Sequence, residues 1–150
     1  MRRSRSDKAR FLGVGLCVVL LTAGGLAVGA LQSAPTEEEY GALMTEIRLI
    51  VGDAELHVDA RYWPELGEDL DKLMPMFRQV EAFWTARGTD EAVGFAKETL
   101  AAFDELSAAA IDQNRGAALA AIIALRATCG SCHENHREET DDGYRIKSGS

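Results

Sequence analysis

Two cysteines and a histidine near the C-terminus have the spacing of an attachment site. Cys129, Cys132 and His133 form the pattern Cys-x-x-Cys-His, which is the attachment signature of a c-type haem. On a helix, side chains three or four residues apart lie on one face. The two thiols can therefore add to the two vinyl groups of one porphyrin, and His133 can bind its iron as the proximal ligand. The pattern predicts one covalently attached haem c.

Other uses of the cysteine pair have weaker support in the sequence. A structural zinc site needs four ligands, and the third cysteine, Cys17, lies in a predicted export segment. A thioredoxin-like redox pair belongs in a βαβ unit, of which the sequence gives no sign. A haem-free helical module that uses Cys129 and Cys132 as a redox switch is the most distant alternative.

The charge of the chain limits its partners. The chain has 150 residues and a formal net charge of -8, although basic residues dominate its first ten positions. The rest of the chain is therefore more acidic still, and such a domain is not expected to bind nucleic acid. It favours redox partner proteins with basic docking surfaces, in an association that salt weakens. The sequence offers neither an acid–base pair nor an activated nucleophile, so we do not predict an enzyme.

Residues 1–35 have the pattern of an export segment. Basic residues precede an uncharged run at residues 11–31, and residues 28–30 provide small side chains for a cleavage site. We favour a cleaved signal peptide, which predicts a periplasmic protein. The uncharged run also reaches the length of about 20 residues that spans a bilayer, so an uncleaved inner-membrane anchor is the alternative. In both cases the domain lies outside the cytoplasm, and it contacts the membrane only if the segment is uncleaved, through residues 11–31.

The rest of the chain has helical periodicity and no strand signal. Apolar residues recur every three or four positions, and caps or breaks divide the pattern into four helices. The predicted helices cover residues 37–58, 66–86, 90–111 and 115–138. Short loops between four helices predict an all-α, antiparallel four-helix bundle over residues 36–139, with a haem near its C-terminus. We predict a flexible polar tail at residues 140–150.

The second predicted helix contains a proline. Pro75 lies well inside the apolar pattern and is expected to kink or split the helix. Of the two methionines that flank it, we place Met74 in the core and Met76 partly exposed.

A four-helix bundle with Cys-x-x-Cys-His in its last helix resembles the class II c-type cytochromes, the cytochrome c prime family. The resemblance covers residues 38–138 and is most specific at residues 127–137. After the motif, the family pattern has two residues, an aromatic residue and then Arg or Lys. Arg137 matches the basic position, and the resemblance places it near the haem. His136 stands at the aromatic position, either as a packing substitute or as a pH-sensitive neighbour of His133.

The resemblance also implies a role for Met44. Low-spin members of the family take their sixth iron ligand, a methionine, from the first helix, and other members leave the iron five-coordinate beneath an apolar residue. Met44 lies at that position and is the candidate distal iron ligand, although core packing is the ordinary role of a methionine. Many members carry an Arg four residues earlier, near a haem propionate. This chain has Tyr40 there, and Arg48 is the alternative.

His57 is a second candidate for the distal ligand. It lies near the far end of the first predicted helix, roughly three turns or more from Met44, so the two cannot serve one iron. We expect His57 at the surface.

The resemblance leads to two function classes. The first is a periplasmic mono-haem cytochrome that transfers electrons by ferrous/ferric cycling, with partners docking near an exposed haem edge. The second is a five-coordinate haem protein that binds nitric oxide or carbon monoxide. Ligation by Met44 favours the first, and an open distal site favours the second. Family members often form homodimers through their first two helices, so a homodimer is also allowed here.

Overall fold

The computed structural model describes residues 34–141 and 143–150, which fold into four helices and a short hairpin. The helices form an all-α bundle, as the periodicity predicts. Almost all of the predicted export segment, including Cys17, lies outside the described residues. The helices are α1 (Glu37–Ala60), α2 (Trp63–Arg87), α3 (Asp90–Ile111) and α4 (Arg115–His136). The strands are β1 (Arg137–Thr140) and β2 (Gly143–Ile146).

Local chemistry sets the helix ends. At the start of α1, Thr36 and Glu39 form a capping box, in which the Thr36 backbone N–H donates to Glu39 Oε2 at 2.7 Å. The end of α2 is set by Gly88, whose φ of 72° is the left-handed conformation that glycine adopts without steric cost. Asn114 caps α4, because its side-chain oxygen accepts from the Ala117 backbone N–H at 3.1 Å.

Pro75 does not split α2, which is continuous from Trp63 to Arg87. The prediction for its neighbours is wrong: Met76 is buried and Met74 is only partly buried. Met76 follows Leu73 by three residues and precedes Val80 by four, so it lies on the buried face of the helix.

The core is one apolar cluster shared by all four helices. Its largest fully buried side chains include Trp84, Phe103, Leu66 and Leu73. Each helix packs mainly against its neighbours in the sequence, whereas α1 and α4 make far fewer contacts with each other. By length and composition α4 could cross a membrane, but core helices of soluble proteins pass the same test.

The end of the chain differs from the sequence prediction. Residues 143–146 form strand β2, which pairs antiparallel with β1 where a flexible tail was predicted. The predicted fourth helix also ends earlier, at His136, because β1 begins at the next residue. Thr140 faces Gly143 across the turn, and Ile146 packs against the core. The hairpin is therefore attached directly to the end of α4.

His57 is not a freely exposed side chain. Its Nδ1 shares a hydrogen bond of 2.7 Å with Oδ2 of Asp69, which is buried on α2. The bond joins α1 to α2 and gives the buried Asp69 carboxylate its side-chain hydrogen bond.

We therefore expect His57→Leu to lower the free energy of unfolding by about 1–3 kcal/mol, because Asp69 loses its buried hydrogen-bond partner. Urea unfolding followed by circular dichroism measures the change. Lys72→Ala is the control: Lys72 Nζ lies 3.9 Å from Asp69 and is well exposed. The control should change stability by less than about 0.5 kcal/mol. Equal effects of the two substitutions would contradict the assignment.

Candidate cofactor site

The last turns of α4 carry the Cys-x-x-Cys-His motif. Cys129, Cys132 and His133 are all half-buried, and the helix places them on one face. Cys129 packs against the edge of the core. Cys132 and His133, one turn further along, line a cavity.

The cavity has a volume of about 480 Å³. This lies in the usual range for small-molecule and cofactor sites, roughly 300–1,000 Å³. Its wall comes from the first half of α1, the end of α2, the end of α4 and the hairpin. The cavity thus opens where α1 and α4 make few contacts.

The structure brings most of the predicted site residues to this one cavity. Met44 from α1 and Arg137 from β1 line it together with Cys132 and His133. Cys129 does not line it. His57 lies outside it too, because it is paired with Asp69.

Aromatic side chains form the inner wall. Tyr40 stacks on Phe83 with ring centroids 4.1 Å apart, and the Trp84 indole N–H donates to the Tyr40 hydroxyl at 3.1 Å. Burial raises the pKa of Tyr40 far above its ordinary value, so the hydroxyl stays neutral. Tyr40 therefore contributes packing and one hydrogen bond to this wall.

His136 is buried among aromatic side chains. Its buried ring lies 5.2 Å from the Trp84 ring and 6.2 Å from the Phe95 ring, centroid to centroid. Its Nδ1 is 3.2 Å from the Ser150 hydroxyl. Its Nε2 lies 3.4 Å from Glu91 Oε2 but forms no well-aligned hydrogen bond. The surroundings of His136 fit the packing role that the sequence left open.

The thiols and the imidazole have shifted proton affinities. Burial is the main cause of the raised pKa of Cys129, and burial together with the neighbouring Cys129 raises the pKa of Cys132 to about 11. Both thiols are therefore protonated at neutral pH. Burial, helped by the Arg137 charge, lowers the pKa of His133. Its imidazole is neutral at neutral pH and has a lone pair for a metal ion.

Sequence reasoning missed the contribution of the hairpin. Tyr144, Arg145 and Ile146 line the cavity, although they lie in the predicted tail. The turn composition at Asp141 and Gly143, between segments that contain Thr, Tyr and Ile, is a hairpin signal that could have revealed them.

The donor set suits a cofactor better than a bare ion. An imidazole, a thioether and a thiol line one cavity of cofactor size. Within residues 34–141 and 143–150, no three His, Cys, Asp or Glu side chains are grouped to hold a metal ion. The zinc alternative thus gains no support from the described part of the chain.

Comparisons with known proteins identify no relative: no protein-family model matches the chain, and searches of curated proteins and of solved structures find no match.

The raised pKa values predict slow thiol chemistry in the folded, haem-free chain. In a Cys129→Ser variant, iodoacetamide should alkylate Cys132 roughly tenfold more slowly at pH 7.5 in the folded chain than in the same chain unfolded in urea. A raised pKa leaves a smaller fraction of Cys132 as thiolate, and this loss outweighs the greater nucleophilicity of each thiolate. Burial is the main cause of the raised Cys132 pKa and persists in this variant, so the folded rate should keep rising with pH beyond the ordinary thiol pKa. Alkylation at the unfolded rate would contradict this, and would favour a redox-active cysteine pair.

Proposed function

We propose that the chain is an exported mono-haem c-type cytochrome that transfers electrons. The observation that carries the proposal is that Met44, Cys132 and His133 line one cavity. Cys129 and Cys132 would hold the porphyrin covalently, His133 would bind the iron, and Met44 would be its distal ligand. The proposal includes an antiparallel order of the four helices, which short connections favour.

The residues of the cavity fit a haem. A porphyrin is flat and largely apolar, and Tyr40 and Trp84 provide an aromatic wall beside the candidate ligands. The sparse contact between α1 and α4 leaves room for a group held by both helices. When bound, the haem iron supplies one-electron chemistry by cycling between its ferrous and ferric states.

The protein side chains set the conditions for that chemistry. The lowered pKa of His133 provides a neutral imidazole, which is the form that binds iron. The partly buried Met44 offers a soft thioether from the opposite helix, a ligand that raises the reduction potential. Neither role requires a bond to be made or broken in a substrate, so the proposal involves no catalytic residue.

A second function has one observation in its favour. Met44 also packs against the apolar core, which is the ordinary role of a methionine. If packing is its sole role, the iron has an open distal side, and the protein binds nitric oxide or carbon monoxide.

Absorption spectra separate the two functions. The full chain is produced in a bacterial host with haem-attachment machinery, and oxidised, reduced and carbon-monoxide-treated spectra are recorded. We expect low-spin spectra that Met44→Ala converts to high-spin spectra sensitive to carbon monoxide. Met74→Ala is the matched control, because Met74 is also partly buried but does not line the cavity.

Other outcomes of these experiments support or reject single parts of the proposal. A high-spin spectrum of the parent chain that shifts readily with carbon monoxide would reject Met44 as a ligand and favour gas binding. Haem that stays with the denatured parent chain, but is lost from a Cys129→Ser/Cys132→Ser variant, identifies covalent attachment. A parent chain without haem would reject both functions.

Export is the remaining part of the proposal. The basic start and the uncharged run at residues 11–31 support a signal peptide, and the acidic remainder suits partners with basic surfaces. We expect the purified periplasmic protein to begin near residue 31. An intact N-terminus in a membrane fraction would instead identify an anchor, and a cytoplasmic protein would reject export.

A further inference from the structure

The C-terminal hairpin forms part of the cavity wall. Tyr144, Arg145 and Ile146 line the same cavity as Met44 and His133. Since β1 begins directly after α4, four residues after His133, the hairpin has a short covalent connection to the attachment motif. Its position relative to the motif is therefore constrained.

Several contacts hold the hairpin against the bundle. Ile146 packs on the core, and the Lys147 backbone N–H donates to the His136 carbonyl at 3.0 Å. The Lys147 ammonium group donates to the Glu134 carbonyl, and the Ser150 hydroxyl lies 3.2 Å from His136 Nδ1. These three polar contacts are made to the last turn of α4, and the Arg87 guanidinium of α2 also donates to the Ser150 carbonyl at 3.4 Å.

Two guanidinium groups of the hairpin face the cavity, and they differ in their partners. Arg145 Nε donates to Glu138 Oε1 at 2.7 Å, so this charge is neutralised within the hairpin. Arg137 instead lies over the Tyr144 ring, 4.1 Å from its centroid. Among the described residues no carboxylate pairs with Arg137. The nitrogen donors of Arg137 are thus held in place by an aromatic ring but lack an acidic partner.

The other charges at the cavity leave room for an anion beside Arg137. Glu37 is paired with Arg87 at 2.6 Å, and Glu38 lies in the exposed first turn of α1. Arg48 adds a second guanidinium on the α1 side. A guanidinium fork matches the two oxygens of a carboxylate, and an aromatic ring that fixes its plane reduces the entropy lost on binding.

We propose that the hairpin is an anion-binding wall of the haem site, in which Arg137, positioned by Tyr144, binds a propionate carboxylate of the porphyrin. This inference rests on the proposed function, since it names the partner of Arg137 in the same site. Tyr144 acts as a positioning residue through Arg137. In the family that the sequence resembles, many members carry an Arg near a propionate at the position of Tyr40. In this chain Arg137, near the C-terminus, takes that role.

The test is the reduction potential of the haem-loaded full chain. A cation bound to the propionate disfavours the ferric state, which carries more positive charge. At the midpoint potential of the parent chain, Arg137→Gln should raise the ferric-to-ferrous ratio about tenfold, which is about 59 mV for one electron. Tyr144→Leu should raise that ratio about threefold, because the guanidinium loses its platform.

Three control variants separate this role from a general effect of charge or folding. Tyr144→Phe retains the ring, so it should stay within about twofold of the parent ratio. Arg137→Lys retains the charge but loses the planar fork, so its ratio should lie between those of the parent and of Arg137→Gln. Arg145→Gln removes a charge from the same hairpin, but one already paired with Glu138, and should also stay within about twofold. Circular dichroism checks that each variant has the helical content of the parent.

The outcomes distinguish this inference from the proposed function. Equal shifts in Arg137→Gln and Arg145→Gln would overturn the specific role of Arg137. An unchanged potential in Tyr144→Leu would overturn the positioning role of Tyr144. In both cases covalent haem in the parent chain leaves the cytochrome proposal intact. A parent chain without covalent haem would overturn both proposals.

Discussion

The cofactor-sized cavity exists because α1 and α4 make few contacts with each other. Each helix buries its apolar face mainly against its neighbours in the sequence, so the first and last helices need not pack closely. The space between them becomes a cavity whose two sides carry different chemistry. The α1 side offers Met44, and the α4 side offers Cys132 and His133. A tightly closed bundle would fill this space with side chains, because protein interiors are close-packed.

The sequence predicts the parts of the fold and of the site that depend on short-range patterns. Four amphipathic periodicities correspond to four helices, and the motif spacing places Cys129, Cys132 and His133 on one face of α4. Helical geometry fixes both, because the turn of an α-helix is the same in every context. The proximity of Met44 to the motif was expected from a family resemblance rather than from the pattern, since no local rule relates two helices at opposite ends of a chain.

Longer-range relations were harder to predict. A lone histidine such as His57 gives no sign of the buried Asp69 that pairs with it, twelve residues away on another helix. The burial of Met76 rather than Met74 depends on how α2 is rotated about its axis against its neighbours. The sequence does not show this rotation, because a methionine stands on each side of Pro75 and either could face the core. The hairpin was missed because its strands are short and polar, with alternation too brief to stand out from a tail.

Packing between sequence neighbours also affects how the chain folds. Helix pairs that follow one another form their contacts over short loops, and topologies rich in such contacts fold fast. The pairing of α1 with α4 joins the ends of the domain and requires the longest loop closure, so it gains least from local structure. The last helix can therefore form against α3 while its cysteines still face solvent. An order of assembly in which α1 and α4 meet last keeps Cys129 and Cys132 accessible to other molecules until late in folding.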